Sequence, residues 1–219
     1  MEQTVDGIPN LLERAVLSLL SSDQAQARRA LRGIDFPALC KARLEFRSRI
    51  WAKGGLASGY KSLHPGTGRQ STRRADIRAT FERDRYTCRY LHCRRRTVAI
   101  EVLKLISHSL PDLLPRHSNW QPVETHILYW TYTTSLEHIV PFPAGGTSNR
   151  QNLLTACYMC NDAKNYVPHD ILGWDIGPPA EYCWFGLTEY IPELRKAIKS
   201  LNSPGSEGGN HNSLSDLMS

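Results

Sequence analysis

The 219-residue sequence lacks any apolar run near the roughly 18 residues needed to cross a bilayer. Its first residues, Met1-Glu2-Gln3-Thr4-Val5-Asp6, are acidic where a secretory leader is basic. A soluble, cytoplasmic protein with no membrane partner is therefore expected. No internal repeat is present, and no Lys-Ser/Thr follows Gly145-Gly146, which excludes a phosphate-cradling P-loop there. Acid is scarce in the first part of the chain: residues 1–96 hold 9 Asp/Glu against 20 Lys/Arg, whereas residues 97–219 hold 12 against 7. The net charge of +6 thus conceals +11 followed by −5. A basic half of this kind is either a footprint for a polyanion, most commonly nucleic acid, or a solvated helical surface.

What is present begins with six cysteines. In a reducing compartment they do not form a disulfide framework, so their spacing carries the information. Cys157 and Cys160 form a C-x-x-C, Cys88 and Cys93 a wider C-x4-C, and Cys40 and Cys183 stand alone. Two close thiolate pairs surround a tetrahedral Zn²⁺ at about 2.3 Å per ligand and would make a closed structural site. His92, inside the wider pair, is a rival ligand, and buried free thiols are the alternative reading.

Helical spacing of Ile8, Leu11, Leu12, Ala15, Val16, Leu19 and Leu20, with Pro9 in the first turn, predicts an amphipathic helix. Others are predicted over Gln24–Leu31, Pro37–Lys53, Ala75–Arg85, Val98–Leu110 and Cys157–Tyr166, with a last one marked by Leu187 to Leu201. The β-branched and aromatic stretch Thr125–Thr134 suits a buried strand, with a helix as the alternative. A second strand is expected over Leu136–Val140, and Asn152–Ala156 is a short apolar run. The expected division is a basic helical region over 1–53, a Gly/Ser/Thr-rich linker over 54–74, a main domain over 75–201 and a disordered polar tail over 202–219.

Between the cysteine pairs lies a second constellation. It reads Ser135-Leu-Glu137-His138-Ile-Val-Pro141, then Gly145-Gly146, Asn149-Arg150-Gln151-Asn152-Leu153, and Cys157-x-x-Cys160-Asn161-x-x-Lys164. Alone, a histidine after a glutamate is usually a surface or core residue, and an asparagine a cap or turn. The combined order and spacing resemble the HNH, or ββα-metal, nucleases over about residues 76–190. That resemblance implies an α+β fold: a ββα-metal (HNH, His-Me finger) core stapled by a four-cysteine zinc site, with an N-terminal helical region. It matches the family's functional positions to Glu137, His138, Asn152 and Asn161. His117-Ser-Asn119-Trp120, Glu124-Thr-His126 and Leu172-Gly173-Trp174 further resemble a bacterial subgroup with about forty residues inserted before the Glu-His strand. The Trp and Tyr residues are read as core in preference to base-stacking platforms, and His126 as a partner of the site.

The chemistry accounts for these residue types. Phosphodiester hydrolysis needs a deprotonated water and a cation against the growing negative charge. A neutral imidazole is a suitable base near neutral pH, and the resemblance gives that role to His138. Glu137 and Asn161 are hard oxygen ligands suited to Mg²⁺ or Mn²⁺; Glu stands where the family more often has Asp, and Asn where it often has His. The resemblance makes Asn152 the brace of the loop. Lys164 either holds a phosphate oxygen or sits in solvent, and the first is favoured. Arg43, Arg47, Arg94, Arg95 and Arg96 are the candidate nucleic-acid contacts. The expected function is a metal-dependent endonuclease acting on DNA, with RNA less favoured. A zinc-bearing DNA-binding module with a lapsed nuclease centre and an RNA-cleaving toxin are the alternatives. The oligomeric state is open, a dimer included.

Overall fold

The structure is a computed structural model, and it describes residues 2–52 and 71–201. Most of the expected linker and the whole expected tail lie outside the described residues. In chain order the helices are α1 (Glu2–Leu20), α2 (Gln24–Arg32), α3 (Phe36–Ala52), α4 (Arg74–Arg83), α5 (Ile100–Ser109) and α6 (Ile127–Thr131). Strands β1 (Thr134–His138) and β2 (Leu153–Cys157) follow, then α7 (Tyr158–Lys164) and α8 (Ile191–Leu201). Among the described residues no helix is long and apolar enough to cross a membrane.

The contacts group the chain differently from the expected chain-order division. Among the described residues, one compact unit joins 2–35, 98–129 and 187–201; the other joins 36–52, 71–97 and 130–186. The basic helix α3 therefore belongs with β1, β2 and α7.

The first unit is helical. Leu12, Ala15, Val16 and Leu19 of α1 are buried together with Leu31, Leu103, Ile106, Leu194 and Ile198. Their spacing of three and four residues puts an apolar stripe on each helix, and burying each large side chain contributes roughly 1.5–3 kcal/mol. Asp23 caps α2 by accepting from Gln26 N at 2.8 Å. Helix α1 starts earlier than the spacing predicts, so Pro9 lies inside it instead of in its first turn.

The second unit is built on an antiparallel β1–β2 pair, with Glu137 opposite Leu154 and His138 opposite Leu153. The outer edge of β2 is closed by side chain and loop. Thr155 N donates to Asp84 Oδ2 at 2.8 Å, and Arg89 N donates to Thr155 O at 2.9 Å. Those bonds satisfy the backbone groups a third strand would otherwise take. The core gathers Leu154, Ala156, Met159, Ala163, Val167, Leu172 and Trp174 around Tyr90. Its aromatics are structural, as expected: the Tyr90 and Trp174 rings meet edge-on at 4.9 Å.

Thr125–Thr134, expected as a strand, instead carries helix α6. Tyr129 and Tyr132 are fully buried, so packing overrides their β propensity. Strand β1 runs from Thr134 to His138, two residues earlier than expected at both ends. Past His138 the chain pairs with the Asn152 side chain in place of a strand.

Candidate active site

Strand alternation turns Glu137 and His138 to opposite faces of β1, and α7 attaches to this strand through two side chains. Asn161 Nδ2 donates to Ser135 Oγ at 2.6 Å and to Leu136 O at 2.8 Å. Three residues later Lys164 Nζ donates to Glu137 Oε1 at 3.0 Å and to His138 O at 3.1 Å. Spacing of three residues on a helix places both on one face, which fixes the register of α7 against β1.

Glu137 is buried, and its two oxygens differ. Oε1 accepts from Lys164 Nζ and, at 2.8 Å, from His138 N. Oε2 is buried with no hydrogen-bond partner among the described residues. Burial pushes this carboxyl up to about 7, against the pull of the Lys164 ammonium and the His138 N–H. The Glu137 oxygen left without a partner and the amide oxygen of Asn161, whose Nδ2 is already committed, are hard oxygen atoms of the kind a divalent cation takes. His138 is half-buried, with its ring centroid 4.4 Å from that of Phe142.

The crossing loop is braced by Asn152. Its Oδ1 accepts from Val140 N at 2.8 Å, while Nδ2 donates to Val140 O at 2.9 Å and Thr147 O at 2.8 Å. This asparagine thereby fixes the segment that immediately follows His138. Gly145 has φ +85°, and a Cβ at Gly146 would lie 1.7 Å from Val140 O. Both turn positions therefore require glycine, for conformation at the first and for space at the second.

The four cysteines meet as their spacing predicts. Cys88, Cys93, Cys157 and Cys160 lie with all Sγ atoms within 4.8 Å of one another. Cys93 and Cys157 are 3.7 Å apart, matching the ~3.8 Å edge of a tetrahedron with 2.3 Å bonds. The sulfur donor set and its burial fit a closed zinc site. Hydrogen bonds from Cys160, Cys88 and Cys93 hold the Cys157 thiol well below its ordinary value, whereas burial raises that of Cys88. His92, the rival ligand, lies beside the set, its Nε2 3.7 Å from Cys160 Sγ. Cys40 and Cys183 are exposed and apart from the cluster.

The candidate nucleic-acid arginines have been put to several uses. Arg43 and Arg47 of α3 pair with Asp162 of α7 at 3.0 and 3.5 Å, and stack over Trp130 and Trp51. Arg94 donates to Pro178 O at 2.6 Å, and the Arg96 guanidinium lies 4.9 Å over the Trp184 ring. Arg95 is half-buried: it donates to Thr131 O at 3.1 Å and lies over Tyr132, with its Nε buried. Burial opposes its charge, yet the nearby Cys157 and Cys93 sulfurs raise its pKa.

Lys164 departs from both readings of it. It is fully buried and bound to Glu137 and His138, and so neither reaches outward to a phosphate nor sits in solvent. His126 lies in the first unit, where burial lowers it to about 4. Two acids escaped sequence reasoning. Asp84, fully buried, accepts from Arg83, Arg89 and Thr155 N; it is the sole acid in the arginine-rich stretch 83–96, a countable clue. Asp162, between Asn161 and Lys164, anchors the basic helix α3, and nothing in its spacing marks it.

A family model described as HNH endonuclease matches residues 120–166, a span that includes β1, β2 and α7. No curated protein and no solved structure matches the chain.

Proposed function

We propose that this protein, which carries an HNH endonuclease domain over residues 120–166, is a metal-dependent nuclease that hydrolyses phosphodiester bonds of DNA. The observation that carries this reading is the β1–β2–α7 assembly, which sets Glu137, His138, Asn152 and Asn161 on one small hydrogen-bonded frame. His138 is the general base: its imidazole takes a proton from water as the oxygen attacks phosphorus in line with the leaving oxygen. Asn152 holds the peptide after the base and so limits its movement. Glu137 and Asn161 would hold Mg²⁺ or Mn²⁺, which supplies electrostatic stabilisation of the charge gathering on the phosphate and departing alkoxide. Lys164 is a positioning residue, holding Glu137 Oε1 so that Oε2 is the oxygen left for a cation. Cys88, Cys93, Cys157 and Cys160 would hold structural Zn²⁺, with Cys157 and Cys160 fastening the start of α7.

The basic half of the chain is the proposed grip on the phosphate backbone. Within α3 and the cysteine-bearing segment, Arg43, Arg47, Arg94, Arg95 and Arg96 all keep partly exposed positions, with Arg95 also tied to Thr131 O. Incubation of the zinc-loaded protein with supercoiled plasmid and Mg²⁺ or Mn²⁺ tests the reading, with a chelator control and a structured RNA in parallel. Nicked or linear DNA appearing only with the divalent ion is expected; cleavage of RNA alone favours the toxin reading.

A second reading, a zinc-bearing DNA-binding module with a lapsed nuclease centre, is favoured by one observation. The buried Glu137 carboxylate already has a cation, the Lys164 ammonium. Salt-sensitive binding of DNA without cleavage under any divalent ion would select it.

A further inference from the structure

Two groups of opposite charge in the second unit, one largely buried and one half-buried, each lack an ordinary partner among the described residues. The first is the cysteine cluster, where Zn²⁺ with four thiolates would carry a net charge of −2. Its outer donors are weak: Cys160 N approaches Cys157 Sγ at 3.4 Å, and His92 Nε2 lies 3.7 Å from Cys160 Sγ. The second is the Arg95 guanidinium. It pairs with no carboxylate among the described residues, and its Nε is buried with no hydrogen-bond partner there. Charges partly withdrawn from water persist where something of opposite sign faces them.

The chain threads Arg95 into the middle of the cluster's own segments. Arg95 follows Cys93 by two residues, and its carbonyl accepts from Cys88 N at 2.9 Å. Its Nη1 reaches to 3.9 Å from Sδ of Met159, the residue inside the Cys157–Cys160 pair, and donates to Thr131 O. The Tyr132 ring, 4.7 Å away, covers the guanidinium. Arginine suits this half-buried position because its charge persists where a lysine's would shift.

We propose that Arg95 is the built-in counter-charge of the Cys88/Cys93/Cys157/Cys160 centre, a positioning residue that sets how tightly the four thiolates hold zinc. This rests on the proposed zinc occupancy of the cluster. An arginine in a basic run that sequence reasoning assigns to nucleic acid is thereby assigned to the metal, as outer groups around a metal centre tune its first ligands.

The test uses the full-length zinc protein with Arg95→Met, Arg95→Gln and Arg95→Lys. Zinc content comes first, then the rate of zinc transfer to a chromophoric chelator, and the thiolate-to-cobalt charge-transfer band after Co²⁺ substitution. Arg95→Met is expected to lose zinc about tenfold faster than wild type, with Arg95→Lys much nearer wild type. Cobalt bound by either variant should keep a four-thiolate spectrum. If Arg95→Met does not accumulate folded, Arg95→Gln, which keeps a polar group near Thr131, reads the same loss. Zinc retention equal to wild type in a neutral variant overturns the proposal, as does equal loss from Arg95→Lys and Arg95→Met, since charge would then not be what counts. Wild-type protein that holds neither zinc nor cobalt overturns the zinc reading itself, a separate outcome.

Discussion

At the scale of single residues, Asp84 shows how one carboxylate organises its surroundings. Burial works against its charge, but hydrogen bonds from Arg83, Thr155 N and Arg89 outweigh that and hold its pKa below 3.8. Asp84→Asn leaves Arg89 facing a neutral amide and should cost about 3 kcal/mol at pH 7. Because the folded pKa is depressed, the contribution is present above the unfolded value near 3.8 and is lost as pH falls through the lower folded value. Urea midpoints of wild type and variant should therefore differ at pH 7 and converge in strong acid; an equal gap at both would contradict this role. Glu137, His138, Asn152 and Asn161 are legible as candidates, since their order along the chain is itself the pattern. The partner of Lys164 was not legible, because its burial follows from how α7 lies across β1, and no local spacing encodes that.

At the scale of elements, helix periodicity gave α2, α3, α4, α5 and α7 to within a few residues, since each needs one apolar face and a stop. Over Thr125–Thr134 the helical alternative holds at Ile127–Thr131 and the strand reading fails, because Tyr129, Trp130 and Tyr132 have strand propensity yet fill core positions. The crossing loop makes a sharp prediction. Gly146→Ala would put a methyl group 1.7 Å from Val140 O, forcing the loop and its Asn152 brace apart. A loss of about 1–3 kcal/mol in stability together with a large fall in nuclease activity is expected; an unchanged melting temperature would contradict the geometry. The α3–α7 attachment predicts a different sign. Asp162→Ala frees Arg43 and Arg47, partly exposed groups whose pairs are worth about 1 kcal/mol or less. DNA binding by gel shift should tighten, and weakened binding would show that the clamp serves recognition by holding α3 in place.

At the scale of the whole molecule, the uneven charge along the chain is its most legible feature, and the contact units are its least. Helices α1, α2, α5 and α8 combine into one unit although segments of the other intervene between Asp35 and Val98 and again between Tyr129 and Leu187, in a topology that composition and periodicity do not reveal. The charge reading predicts strong salt dependence: if about six phosphates are neutralised, DNA affinity should fall about a thousandfold between roughly 50 and 200 mM salt. A flat profile would rule out the basic half as the grip. The central claim is tested most directly by supercoiled plasmid cleavage with Mg²⁺ or Mn²⁺, wild type beside His138→Ala. Metal-dependent cleavage by wild type and none by the variant, with zinc content and DNA binding unchanged, is the predicted result; equal cleavage by the two would contradict it.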